Sequence, residues 1–428
     1  MSDTLNRRDF LRLGAVGVAV SLAADTLAQD APPLRLGFIG VGGRGTHLLS
    51  IALSFDTVAV SALCDINVGN LNRAIGLVRD ARGNEPAGYS AGPTDYRNLL
   101  KRDDVDAVIV ATPMQLHGRM CADGLRAGKH VLSEVAAAMT LAECWGLVKA
   151  QQESGKLYML AENCCYYRQN LAILNMVRAG VFGDLTFAET GYVHDCRSLA
   201  FNADGTLTWR GELGRDYIGN VYPTHSLGPV AQWLGINRGD RLESLVATAT
   251  PQRSLERYAA QRFGAESPQA KIKFALADSN SALIRTAKGV VIDLRFDMYS
   301  ARPHPSTTYY TLQGLTASYS DSGRQQEVWI EGRSPEYAWE PLAPYAAEYD
   351  HDLWKQYGEV AAQSGHGGAD YFVIQQFLDA VRSGRPSPIT AADAAAWSSI
   401  VPLSAASIRA GGAPQEIPDF TEGGWRVP

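Results

Sequence analysis

The stretch Leu34-Arg35-Leu36-Gly37-Phe38-Ile39-Gly40-Val41-Gly42-Gly43-Arg44-Gly45 decides how this chain is read. A run of strand length gives way to Gly-x-Gly-x-x-Gly, and the apolar segment 48–53 then continues with helical character. Strand, glycine turn and helix form the dinucleotide-binding fingerprint. Gly40 permits the tight turn, Gly42 lets backbone approach a pyrophosphate, and Gly45 allows close packing of helix on strand, with the phosphates at the helix N-terminus.

Moving outward, a second strand over 57–63 ends at Cys64-Asp65, twenty residues beyond Gly45. A carboxylate there accepts the adenine-ribose hydroxyls and repels a 2′-phosphate, which favours NAD over NADP; the competing reading of Asp65 is a helix cap before Asn67. Strands over 106–110, 130–132 and 157–161 alternate with helices over 114–127 and 141–152. That alternation predicts a doubly wound parallel sheet of Rossmann type, with its ligand at the strands' carboxyl ends. Those ends carry Asp65, Thr112-Pro113, Glu134-Val135 and Glu162-Asn163.

After a helix over 170–178, the segments 185–192, 281–285, 290–296 and 309–313 predict an open, mostly antiparallel sheet. The chain divides into a leader and linker (1–32), a Rossmann domain (33–162) and a substrate and oligomerisation domain (163–428), whose last helices, 371–382 and 391–410, pack back on the junction. An exposed sheet of this kind suits pairing of subunits, so a homo-oligomer is expected.

The N-terminus reads Asn6-Arg7-Arg8-Asp9-Phe10-Leu11, then an apolar stretch over 13–24, then Thr26-Leu27-Ala28. These are the parts of a twin-arginine export signal cleaved after Ala28, which predicts a periplasmic or otherwise exported protein. That route carries folded proteins, so a cofactor is expected to travel tightly bound. The 428 residues, 46% hydrophobic and 20% charged with a net charge of −6, describe a globular protein and argue against a nucleic-acid partner. No apolar run reaches the ~20 residues of a spanning helix, so stable membrane insertion is not expected. Six dispersed cysteines form no disulfide scaffold, and the adjacent Cys164 and Cys165 read as packing residues.

Several separated motifs carry a resemblance. They are Glu134-Val135, Ala161-Glu162-Asn163-Cys164-Cys165-Tyr166, Gly191-Tyr192-Val193-His194-Asp195, Trp209-Arg210, Tyr222-Pro223-Thr224-His225, Gly365-His366-Gly367-Gly368 and Gln415-Glu416-Ile417-Pro418-Asp419-Phe420. In this order they resemble glycoside hydrolase family 109, the NAD-dependent α-N-acetylgalactosaminidases, within the Gfo/Idh/MocA oxidoreductase-like superfamily. The resemblance implies a Rossmann domain joined to a large open sheet, NAD that is not consumed, and a glycan or small-molecule substrate. It also implies a route other than the usual carboxylate pair: transient oxidation at carbon 3, elimination, water addition and re-reduction.

Residue by residue, the resemblance implies that His225 accepts the carbon 3 hydroxyl proton. It makes Tyr166 a second proton-transfer group; the alternative is a core aromatic. Tyr192, Arg210, Tyr222, Pro223 and Thr224 would hold the sugar with His225, Arg210 being otherwise a surface ion pair. His304 follows Arg302-Pro303 where the family has tyrosine, which bears on sugar preference. For the cofactor the resemblance adds Gly43, Arg44, Met114, Gln115, Leu116, His117, Glu134, Val135 and Asn163 to Gly40, Gly42, Gly45 and Asp65. The chain departs from ordinary relatives in reading Glu134-Val135-Ala136 where dehydrogenases carry Glu-Lys-Pro, and Val221 where they carry an aspartate. No recognised set of metal ligands is present, so no metal is expected. Asp370 reads as the cap of the helix that follows, with His366 either in the turn or facing the site. The competing functions are an exported Gfo/Idh/MocA sugar dehydrogenase and a non-catalytic sugar-binding protein.

Overall fold

The computed structural model describes residues 32–303 and 308–427, so the export signal and His304 lie outside the described residues. Strands β1 (Leu34–Ile39), β2 (Val58–Cys64), β3 (Ala87–Tyr89), β4 (Ala107–Val110), β5 (His130–Ser133) and β6 (Tyr158–Leu160) form a parallel sheet in the order β3-β2-β1-β4-β5-β6. β4 is buried at every position and β1 over its last four residues, because helices cover both faces; hence these strands read as apolar runs without alternation. The order reverses between β1 and β4, which opens a crevice at their carboxyl ends. The helix expected over 114–127 is divided: Pro113 precedes a 3₁₀ turn, Met114–Leu116, and the α-helix runs His117–Arg126.

The second sheet contains β7 (Leu185–Val193), β8 (Leu242–Ala249), β9 (Ser279–Thr286), β10 (Val291–Asp297), β11 (Thr308–Gly314), β12 (Ala317–Asp321), β13 (Gln326–Ile330), β14 (Glu340–Pro341) and β15 (Gln415–Glu416). Its order is β14-β13-β12-β11-β7-β10-β9-β8-β15. All pairings are antiparallel except β7 with β10. Along β9, Asn280, Ala282, Ile284 and Thr286 are buried while Leu283 and Arg285 are exposed, the alternation of a sheet with one solvated face. The inner face is covered by helices Thr224–Trp233 and Ile400–Arg409. Helix Thr224–Trp233 thereby brings its first turn to the end of β6, where His225 meets Glu162.

The C-terminal helices return to the first domain. Ala369–Ser383 packs on Gly43–Ala52 and on the 3₁₀ turn Asn163–Tyr166, and Ala391–Ser398 packs on Leu141–Ser154 and β6. Among the described residues no helix is long and apolar enough to cross a membrane.

Candidate active site

β1 delivers the chain into a turn that only glycine makes. Gly40 has φ +87°, and a Cβ there would stand 2.8 Å from the Ala111 backbone. A methyl on Gly45 would run into the Gly40 carbonyl oxygen. Gly43 instead faces open space, where a Cβ would meet nothing within 4 Å, and one on Gly42 would touch only the Asn70 side chain at 3.8 Å. Helix Gly43–Ala52 begins here, so its unpaired N–H groups point at that space. The turn forms one wall of a cavity of about 490 Å³, closed by Asp65, Thr112, Pro113, Met114, Leu116, His117, Glu134 and Val135 and, from the second domain, by Trp209, Arg210 and Tyr222. A cradle that a side chain would fill, at a helix N-terminus beside a carboxylate, fits a dinucleotide pyrophosphate and ribose.

Asp65 is not the helix cap, which is Asn67, but it braces the turn. Oδ2 accepts the Val41 N–H at 2.9 Å and Oδ1 the Asn67 N–H at 2.8 Å, which ties turn to following helix and leaves lone pairs for a ribose. His117 is buried, its ring nitrogens 2.8 Å from the carbonyl oxygens of Ala136 and Thr112, so it ties together the loops after β4 and β5. Burial pushes its pKa down. Met114 is buried in the core beside the cavity, whereas Gln115 stands outside the cavity lining with its Oε1 buried.

Arg44 is held on two sides. Its Nε donates to Glu134 at 2.7 Å, and its two terminal nitrogens fork onto Asp370 at 2.7 and 2.8 Å. Asp370 also takes His47 Nε2 at 2.9 Å, His366 Nδ1 at 2.7 Å and Asn163 Nδ2 at 3.0 Å. Burial alone would push the Asp370 carboxyl up, but His366, His47 and Arg44 together hold it far below the usual carboxylate range. The cap expected of Asp370 is not made: it lies inside the first turn of its helix and faces Arg44, and Asn163 meets Asp370 rather than the cavity wall. His47, His366 and Asp370 are close enough to share a cation, but the guanidinium already occupies both carboxylate oxygens.

On the second-domain side, Tyr192 at the end of β7, Tyr222, and His225 in the first turn of helix Thr224–Trp233 form one aromatic group. Tyr192 stacks on Tyr222 with ring centroids 5.2 Å apart, and His225 lies 5.2 and 5.0 Å from the two. Arg210 is laid over the Trp209 ring at 4.2 Å and lines the cavity, so its fork is aimed inward rather than spent at the surface. Pro223 and Thr224 are buried where they start the helix.

The end of β6 supplies His225's partner. Glu162, wholly buried, stands 2.7 Å from His225 Nδ1 and also accepts the Cys164 N–H at 3.1 Å. Burial opposes charge on both partners, yet each holds the other ionised: the His225 pKa is raised well above its ordinary value and the Glu162 carboxyl is lowered. Glu162 was legible only as a strand-end residue, since nothing in the sequence marks a partner 63 positions away. Val221, the usual aspartate position, is core.

Tyr166 is not brought to this group. The 3₁₀ turn Asn163–Tyr166 rotates it into the core, its carbonyl accepting the Trp354 indole N–H at 2.9 Å. Tyr166 lines a different cavity, with Leu171, Leu174 and His351, and its buried hydroxyl has no hydrogen-bond partner. The next residue, Tyr167, lies nearer the site; burial and the proximity of Cys164, Glu162 and Asp370 push its pKa up.

Two family models match the chain. Residues 34–162 match the oxidoreductase family, NAD-binding Rossmann fold, and residues 166–427 match glycosyl hydrolase 109, C-terminal domain. The chain belongs to glycosyl hydrolase family 109. A family 109 protein of Solibacter usitatus is 38% identical over 99% of both chains. An α-N-acetylgalactosaminidase of Tannerella forsythia is 35% identical over 98% of this chain and 97% of its own. Among solved structures, levoglucosan dehydrogenase in complex with NADH and L-sorbose superposes with a TM-score of 0.68 at 19% identity, covering 91% of this chain and 100% of that one. That likeness shows the fold. The chain is thus a family 109 glycosidase with an NAD-binding Rossmann domain, and its two domains meet at the crevice just described.

Proposed function

We propose that this family 109 protein removes terminal α-linked N-acetylgalactosamine, or a closely related hexosamine, using an NAD that stays in the fold through each turnover. The observation that carries the proposal is the Glu162–His225 pair, whose imidazole packs against Tyr222 on the wall of the cavity. The carboxylates on the cavity wall also support it. Asp65 is committed to the turn and Glu134 to Arg44, so neither belongs to a free pair flanking a glycosidic bond.

Bound NAD supplies reversible oxidation of the sugar at carbon 3. Glu162 fixes the His225 ring through Nδ1, so that the neutral ring, the form present above its raised pKa, offers Nε2 to accept the proton of the carbon 3 hydroxyl and later return it. A ketone at carbon 3 acidifies the carbon 2 proton; its removal expels the aglycone from carbon 1, and water then adds across the double bond. Arg210 and the Tyr192–Tyr222 stack orient the sugar, Arg210 through its fixed fork of donors. Tyr166, which lines the other cavity and not this one, is given no part in proton transfer. Atoms and electrons balance without an external acceptor, which suits export through the route that the N-terminal arginines suggest. The test is release of p-nitrophenol from p-nitrophenyl α-N-acetylgalactosaminide by enzyme purified without added NAD. Hydrolysis with no net NADH absorbance supports the reading; reduction of added NAD by free sugar without hydrolysis overturns it in favour of a dehydrogenase.

A further inference from the structure

Cys164 takes no part in the chemistry proposed above, yet its thiol lies against His225. With Glu162 the two make a group of three donors, a carboxylate oxygen, a thiol sulfur and an imidazole nitrogen, whose ligand atoms all lie within 4.8 Å of one another. The nitrogen is Nδ1, since that atom faces Glu162 at 2.7 Å. One short turn assembles the group: Glu162 follows β6 and its Oε1 accepts the Cys164 N–H at 3.1 Å, which brings the thiol to the start of helix Thr224–Trp233. The other oxygen, Glu162 Oε2, is buried without a hydrogen-bond partner, so the carboxylate keeps capacity to bind. Glu162 is fully enclosed and Cys164 is buried, while the His225 side chain is 17% exposed, so the group is approached past the imidazole.

Thiolate, imidazole and carboxylate together are a donor set for zinc. Bonds of about 2.0–2.3 Å in a tetrahedron set ligand atoms about 3.3–3.8 Å apart, which this group reaches by side-chain movements of about 1 Å or less. Charge also balances. A buried carboxylate facing an imidazolium is neutral as a pair, and a dication held by carboxylate, thiolate and neutral imidazole is neutral as well, so the exchange leaves no uncompensated charge inside the protein. The adjacent Cys165 does not belong to the group: its sulfur packs on helix Thr224–Trp233, 3.0 Å from where a Cβ on Gly228 would stand.

We propose that Glu162, Cys164 and His225 form a zinc-binding site through which the metal reversibly switches off the hydrolase. This rests on the reading that His225 Nε2 accepts the carbon 3 hydroxyl proton. Zinc takes the place of the proton on Nδ1 and of the proton on the Cys164 sulfur; both protons pass to solvent and no electron moves. An imidazole bound to metal through Nδ1 carries its remaining proton on Nε2, where it can donate but no longer accept. The metal is therefore an inhibitor and not a requirement. The test titrates zinc chloride into the NAD-loaded full-length enzyme, reading hydrolysis of p-nitrophenyl α-N-acetylgalactosaminide, and titrates cobalt(II) chloride in parallel, reading the absorption spectrum. Wild type is expected to lose activity, to regain it with EDTA, and to show the thiolate-to-cobalt charge-transfer band. Cys164→Ser lacks the band and raises the half-inhibitory zinc concentration roughly a hundredfold, since losing a ligand costs at least as much as losing a ligand's support. Cys164→Ala serves if that variant does not fold, and Cys165→Ser behaves as wild type. Inhibition that survives both Cys164 variants, a band that Cys165→Ser removes, or neither inhibition nor band in wild type overturns the site. A band without inhibition, in a wild type that hydrolyses the glycoside, overturns the switch. A wild type that shows the band through Cys164 yet hydrolyses no glycoside overturns the assigned reaction and leaves the site standing.

Discussion

Replacing Glu162 by glutamine keeps the outline of the side chain facing His225 and removes its charge. Oε1 of the glutamine still accepts from His225 Nδ1 and from the Cys164 N–H, so the tautomer survives and the basicity does not. A hydrogen bond to an ionised partner is worth about 1.5–3 kcal/mol, and 1.36 kcal/mol corresponds to one pKa unit, so the His225 pKa falls by about one to two units. The sign follows from the wild type. Burial lowers the His225 pKa, but Glu162 and Cys164 raise it by more, leaving it well above the ordinary histidine value. Tyr192 and Tyr222 also face the ring, with Arg210 close to both tyrosines, and none of these is altered. His225 must be neutral to accept a proton, so kcat/KM of the wild type rises with pH through that raised pKa. In Glu162→Gln the rising limb moves to lower pH by about one to two units, and the plateau falls because the base is weaker. Initial rates on an aryl α-N-acetylgalactosaminide between about pH 5 and 9 read both effects. A limb that stays in place while rates fall uniformly, or one that moves to higher pH, refutes the reasoning and leaves Glu162 a structural group.

Three further outcomes are expected. Tyr166→Phe removes a buried hydroxyl that has no partner, so activity stays within about twofold and the melting temperature holds or rises; a hundredfold loss would return Tyr166 to proton transfer. Gly43→Ala adds a methyl that meets no protein atom but stands in the cradle, so the protein keeps its thermal stability and loses NAD affinity, measured by fluorescence titration; unchanged affinity would move the pyrophosphate elsewhere. Arg210→Lys gives up the planar fork and its seat on Trp209, raising KM for the glycoside about tenfold, or 1.4 kcal/mol, with NAD content unchanged; an unaltered KM contradicts its role in holding the sugar.

The Rossmann half was legible because its signals are local: a glycine turn whose spacing is fixed by sterics, and strands that are apolar on both faces. The three-residue β3 was not, because Ala87-Gly88-Tyr89 has neither run nor alternation. In the second sheet, β7, β9, β10 and β11 announced themselves. The parallel pairing of β7 with β10 did not, since strand direction is settled by connections and not by composition. The site divides the same way. His225, Tyr192, Tyr222 and Arg210 were found through contiguous motifs, and the structure gathers them. Asp370 read only as a cap and Glu162 only as a strand-end residue, because what they do depends on side chains 326 and 63 positions away. The orientation of Tyr166 depends on one 3₁₀ turn that the sequence does not spell out.

Hydrolysis of an α-N-acetylgalactosaminide in deuterated water, followed by mass spectrometry and proton spectra of the released sugar, tests the central claim most directly. Transient oxidation with elimination predicts a deuteron at carbon 2 of the product, delivered when water adds back. Complete turnover with the original proton still at carbon 2 would contradict it, and the glycosidic bond would then be broken by direct displacement.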